Sequence, residues 1–315
     1  MQQSLFSVFL GFIAGASRAK VCSGKECLLG KSSRAPRFRG LDFLMRFQQG
    51  RWSEDRIIHG INDTSDYRAV PYGMSRVYVE SDEETIDEYW EKYSQIETYG
   101  KRPDIIVFRR PIYETIKSEL SEDPTLMKED EWEPLVKQSL CAIEAENSLW
   151  RAAKMPDKDL KLPLPRKSNI IAPNIWVKEE DVERLLSWQR IYNKPVYVVQ
   201  VFYDLAYAAR LENILNKVKR IEESKQGSLR DAEMRRQGLI IATQKYTDSR
   251  TGVSEQKEVY RLHPATAIPF GSLSHEPTLE LKVLESKSGK IMPYVHFSGG
   301  GLTLTKEILS EWSQL

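Results

Sequence analysis

The chain has 315 residues, 41% of them hydrophobic and 29% charged, which is enough apolar material for a substantial core. Lys and Arg number 46 against 45 Asp and Glu, so net charge neither points to a polyanionic partner nor excludes one, since a folded chain can gather its basic residues on one face. Cys22, Cys27 and Cys141 are too few and odd in number for a secreted disulfide framework, and the C-x4-C spacing has no second Cys/His pair to complete a zinc site.

Residues 1–19 (MQQSLFSVFLGFIAGASRA) imitate a secretory signal, but no positive charge precedes the apolar run. Phe6, Phe9, Leu10 and Ile13 recur at helical spacing, which predicts a buried helix. No other segment approaches the roughly 18 apolar residues of a membrane span. A soluble, cytoplasmic protein is expected. Residues 20–80 are mixed and rich in Gly, Ser and Arg. Within them Lys31, Arg34, Arg37 and Arg39 make a basic loop, read either as a solvated connection or as an arm on nucleic-acid phosphates.

A helical pattern runs from Glu83 to about Tyr99 and ends at Gly100. Pro103-Asp104 then opens a short apolar strand, Ile105 to Phe108. Residues 111–138 are mostly helical with a break at Pro124, and Leu140 to Glu144 reads as a second buried strand. Glu179 to Ile191 is helical, Val196 to Phe202 is a third strand, and a charged helix is expected over about Leu205 to Lys225. From Leu239 onward come β-like segments separated by turn signals such as Ser288-Gly289 and Gly299-Gly300-Gly301. The alternation predicts an α/β fold with a central mixed sheet flanked by helices and an added C-terminal β-rich part. The expected division is 1–82, an N-terminal helical and loop region of the same domain; 83–225, the core; and 226–315, the β-rich region.

Three acidic residues stand at strand ends. Asp104 begins one buried strand, and Glu144 and Glu146 close another. Strand side chains alternate faces, so Glu144 and Glu146 project from the same side. Two carboxylates on one face repel unless a cation or proton intervenes. With Asp104 they form a cluster suited to a hard divalent cation such as magnesium, and such a cation serves phosphodiester hydrolysis. The four histidines are scattered and read as surface or packing residues.

Pro103-Asp104 followed by Glu144-Ala145-Glu146 resembles the PD-(D/E)XK nuclease motif. The last position, usually Lys, is Glu here, a BamHI-like Glu-x-Glu variant. The runs GKRPDIIVF, IEAENSLWRAAKMPDK and VKEEDVERLLSWQRIYNKPVYVVQVFYDLAYA extend the resemblance to type II restriction endonucleases, most similar to the AccI-like group. It covers roughly residues 85–210. The resemblance implies a Mg2+-dependent, site-specific deoxyribonuclease that acts on double-stranded DNA at a short palindromic sequence as a homodimer, with Asp104, Glu144 and Glu146 as catalytic residues and metal ligands. Glu146 would be ligand or base, or another residue would replace the missing cation, Lys154 first and Lys101 or Arg102 after it. A fourth acid from the preceding helix would be Glu97 or Glu91. Alternatives within reach are a structure-specific or repair nuclease of the same superfamily and a catalytically decayed DNA-binding protein.

Candidates for DNA contact follow from residue type. Asn147 and Ser148 either hold the scissile phosphate or form a turn. Lys154, Lys158, Lys161, Arg166 and Lys167 form a Pro-interrupted basic stretch. Arg235, Arg236 and Gln237 are candidates for base contact. Trp90, Trp150, Trp176 and Trp188 read as core, with Trp150 the one nearest the acidic strand.

Overall fold

Apolar periodicity decides which segments pair, and the computed structural model describes residues 41–73, 102–167, 169–224, 226–247, 254–285 and 291–315. The chain starts with α1 (Leu41–Asn62), β1 (Tyr67–Pro71), β2 (Ile105–Arg109), α2 (Arg110–Ile116), α3 (Glu129–Gln138) and β3 (Cys141–Asn147). It continues with β4 (Ile175–Lys178), α4 (Glu179–Tyr192), β5 (Val196–Val201), β6 (Leu205–Arg210), α5 (Leu211–Glu222) and α6 (Ser228–Gln237). The last part is mainly β: β7 (Leu239–Thr247), β8 (Ser254–Leu262), β9 (Ile268–Leu273), β10 (Thr278–Glu285), β11 (Ile291–Ser298), β12 (Leu302–Leu304) and α7 (Lys306–Ser313).

Seven strands form one mixed sheet in the order β1-β2-β3-β5-β6-β9-β12. Only β3 and β5 run parallel; every other neighbouring pair is antiparallel. The expected α/β fold with a mixed sheet between helices is therefore the observed one. β9 and β12 come from the C-terminal part of the chain yet complete this sheet, while β4-β8-β7 and β10-β11 form two smaller sheets.

Every residue of β5 is buried, so the sheet must be covered on both faces. On one face Phe108, Ala142, Val196 and Val198 pack with Trp132 and Val136 of α3, Leu185 and Trp188 of α4 and Ile214 of α5. On the other, Val107, Ile143, Tyr197 and Val199 pack with Trp52, Ile57 and Ile61 of α1 and Ile308 and Trp312 of α7. Trp312 meets Tyr67, Tyr197 and Phe270 edge-on.

Several expectations change. The segment 205–225 is not one helix. Leu205–Arg210 is β6, pairing on both edges with β5 and β9, and the helix starts only at Leu211. Its small residues explain this: Ala206, Ala208 and Ala209 are buried where sheet neighbours pass close. The mixed reading of 20–80 concealed α1, whose buried side includes Gln48, Gln49, Ser53 and Glu54 and so breaks the apolar period. Trp188 is core as expected, but Trp150 is 57% exposed and is not. The predicted helices at 1–19 and 83–99 and the basic loop of Arg34, Arg37 and Arg39 lie outside the described residues. Among the described residues, no helix is long and apolar enough to cross a membrane.

α1 approaches β12 so closely that a methyl group on Gly60 would stand 2.6 Å from the Leu302 carbonyl oxygen. Ala ordinarily stabilises an exposed helix position relative to Gly by ~1 kcal/mol. Here the clash is with backbone, so Gly60→Ala is expected to destabilise by about 1–3 kcal/mol, read as a lower urea midpoint.

Candidate active site

The start of β2 is fixed from behind. Arg102 is buried, with its Nε 2.7 Å from Glu129 Oε2. Its other nitrogens donate to the Met127 carbonyl at 3.2 and 3.3 Å, and its guanidinium lies over the Tyr72 ring. The Tyr72 hydroxyl donates to Glu129 Oε1 at 3.2 Å and accepts from the Trp188 indole at 3.0 Å, and Tyr192 also donates to Glu129. Burial pushes the Tyr72 and Tyr192 hydroxyls well above the ordinary tyrosine range, so both stay protonated and act as donors. This network holds Arg102 in place. Lys101, the other basic residue beside the motif, lies outside the described residues.

The backbone N–H groups of Tyr72 and Gly73 both donate to the Asp104 carbonyl, at 2.8 and 2.9 Å. Gly73 lies directly against Asp104: a methyl group there would stand 2.8 Å from the Asp104 Cα and 3.0 Å from Oδ1. In front, Asp104 Oδ2 accepts the backbone N–H of Ala145 at 2.7 Å. Ile105 pairs with Ile143, so the next position outward sets Asp104 across from Glu144. Ile143 and Ala145 face α1, whereas Ala142, Glu144 and Glu146 take the opposite face. Glu144 is buried and Glu146 half-buried. Asp104, Glu144 and Glu146 are thus gathered on one face at one end of two neighbouring strands.

β5 adds a residue that sequence reading passed over. In the parallel register Glu146 pairs with Gln200, which is completely buried. Gln200 Oε1 accepts the Trp176 N–H at 3.4 Å, and its amide nitrogen has no hydrogen-bond partner among the described residues. The signal was present: Gln200 is the one polar residue in VYVVQVF. α1 crosses the same end of β3. A methyl group on Gly50 would lie 3.7 Å from the Asn147 amide nitrogen, and one turn further along α1 the buried acidic residue is Glu54. The candidates Glu97 and Glu91 lie outside the described residues.

The other candidates are dispersed. Asn147 ends β3, and the Ser148 N–H donates to the Val201 carbonyl, which continues the pairing rather than starting a free turn. Lys154 is exposed on a short 3-10 turn, Ala152–Lys154, whose first N–H groups donate to Asp204. Lys158 pairs with Asp159 and Lys167 with Asp157, each at 2.7 Å. On α6, Arg236 and Gln237 both turn to Glu233.

Among the described residues, no group of three or more His, Cys, Asp or Glu side chains stands at metal-holding spacing. Magnesium demands less. It takes one or two carboxylates and fills its remaining positions with water and substrate phosphate oxygens. Asp104 and Glu144, set opposite one another at the strand ends, supply the hard oxygen donors that such a cation takes.

A mixed sheet between helices, with acidic side chains at the shared end of neighbouring strands, defines a mixed α/β class of protein. The family comparison makes this particular: residues 28–159, less than half of the chain, match the family described as AccI restriction endonuclease. The match spans Asp104, Glu144 and Glu146 and supports an AccI-like type II restriction endonuclease, a hydrolase that binds and cuts DNA. No curated protein and no solved structure matches.

Two expectations follow. Gly73→Ala sets a methyl group 2.8 Å from the Asp104 Cα, so the chain there must shift, and the variant is expected to lose about 1–3 kcal/mol of stability, read as a lower urea midpoint. Asp157 organises the basic loop by accepting from Lys167 and from the Ile171 N–H. The Lys167 ammonium and then the Ile171 N–H hold its carboxyl below the ordinary range. The stabilisation is therefore complete above the unfolded value of about 4 and lost as pH falls through the lower folded value. Asp157→Asn should make residues 156–171 exchange their amides faster at neutral pH, and the wild-type loop should do so only in acid.

Proposed function

We propose that this chain cuts double-stranded DNA with Mg2+ at a short palindromic sequence, in the cytoplasm and as a homodimer, from the edge formed by Asp104, Glu144 and Glu146. The observation that carries this reading is the 2.7 Å bond from the Ala145 N–H to Asp104, which ties the two acidic strand ends together at the residue between the glutamates.

When bound, a divalent cation supplies Lewis-acid stabilisation of the charge that grows on the phosphate and the leaving oxygen. Asp104 and the buried Glu144 are the residues that would hold it. Asp104 has one oxygen committed to Ala145 and is oriented by that bond; Glu144 is buried directly across from it. Glu146 is half-buried at the strand end, within reach of solvent. Its place in the motif is usually a Lys, and a carboxylate there accepts a proton from the attacking water rather than supplying positive charge. The unpartnered amide of Gln200 offers a donor beside it. Asn147 and Ser148 lie next along the chain and offer donors to a phosphate. Two-fold symmetry in the protein matches a palindromic site, in which each copy cuts one strand.

Asp104→Ala is expected to reduce Mg2+-dependent cleavage of phage DNA by about 10² or more while leaving DNA binding intact. Wild-type digestion should give discrete bands whose ends share one sequence. Cutting that survives the substitution would remove Asp104 from the site. A ladder of nicks or junction-specific cleavage would indicate a structure-specific nuclease instead.

A further inference from the structure

β10 and β11 form a two-stranded sheet of their own, with β11 lying against α1. One face of this hairpin is apolar. Phe297 and Val295 at its base pack into the core beneath the main sheet, and Phe297 meets Trp52 of α1. The same face carries Leu279, Leu281 and Val283 of β10, directly across from Phe297, Val295 and Pro293. Leu281 is 55% and Val283 60% exposed, and Glu280 and Lys282 on the other face are exposed as well. β10 is therefore an eight-residue strand on which Leu281, Lys282 and Val283 meet solvent on both faces. Among the described residues its second edge pairs with no strand. Long apolar edge strands template pairing with another chain, and natural proteins blunt them unless the pairing is used.

The charge order along β10 says what pairs with it. The strand reads Thr278-Leu279-Glu280-Leu281-Lys282-Val283-Leu284-Glu285. When an edge strand pairs antiparallel with its own copy, opposite residues share a face, so a two-fold axis normal to the sheet must pass through a residue. An axis through Glu280 sets glutamate against glutamate, and an axis through Lys282 sets lysine against lysine; like charges directly opposite are destabilising. An axis through Leu281 sets Glu280 opposite Lys282 of the second copy, twice by symmetry. It also sets Leu279 opposite Val283 and Leu281 against itself on the apolar face. Of the registers centred on Glu280, Leu281 and Lys282, this one satisfies both faces.

We propose that β10 is a dimerisation strand: two copies of this chain join their hairpins edge to edge, antiparallel, about an axis at Leu281, into a four-stranded sheet. The inference rests on the homodimer in the proposed function and names its contact. An isologous contact of this kind closes as a dimer and leaves no free β10 edge for further growth.

The test uses the full-length protein without DNA in sedimentation analysis at micromolar concentration. The wild type should sediment as a dimer. Glu280→Lys should shift it to monomer by at least tenfold in dissociation constant, because lysine then faces lysine at both pairs. The exchange variant Glu280→Lys/Lys282→Glu should restore the dimer. All of these residues are exposed, and circular dichroism should be unchanged. Independently, Leu281→Cys should cross-link under mild oxidant to a dimer on a denaturing gel, whereas Ser310→Cys on α7, away from the axis, should not. A monomeric wild type overturns the proposal. So does a dimer indifferent to Glu280→Lys with no cross-link at position 281; in that case the homodimer of the proposed function stands on another surface. A monomer that still yields discrete DNA fragments would remove the homodimer and leave the nuclease reading in place.

Discussion

Behind the acidic edge, a guanidinium buried against a carboxylate decides where the edge can form. Arg102 bonds Glu129, and both tyrosines at that carboxylate also donate to it. Removing one partner of such a buried pair costs several kcal/mol because a charge is left unmatched. The network spans the loop after β1, the residue before Pro103, the start of α3 and the end of α4. Elements distant in sequence therefore agree on the position of one dipeptide, and Asp104 follows that dipeptide directly into the sheet.

Two forces then oppose each other at the strand ends. Packing draws Ala142, Glu144 and Glu146 onto the same face as Val198 and Gln200, because strand alternation leaves no other choice. Electrostatics resists gathering carboxylates at an apolar boundary. The Ala145 N–H bonded to Asp104 offsets part of this for one of them. The fold thus brings acidic side chains together at the end of two neighbouring strands.

How far this was readable in the sequence depends on how local the signal is. Asp104, Glu144 and Glu146 sit at the ends of uninterrupted apolar runs, so period-two reasoning finds them without knowing the partner strands. β6 was absorbed into a helix because an Ala-rich stretch suits either state, and only its pairing with β5 and β9 decides the matter. α1 was hidden because its buried side mixes Trp52 and Ile57 with Ser53 and Glu54. Such a helix has no clean apolar stripe, and its polar buried residues are intelligible only once the end of β3 lies beneath them. Gln200 was visible as an oddity, yet its place beside Glu146 follows from a parallel register that no local pattern encodes.

That parallel pair has a kinetic side. β3 and β5 are the only parallel neighbours in the main sheet, so the chain must leave after Asn147, travel through residues 148–195 and return to the same edge in the same direction. Hairpin neighbours such as β5 and β6 can meet as soon as both are made, whereas β3 must wait for a distant partner and for closure of the loop between them. Glu146 and Gln200 therefore meet only after that crossover has closed. The acidic strand end is thus complete only once residues 148–195 have been threaded back to β3.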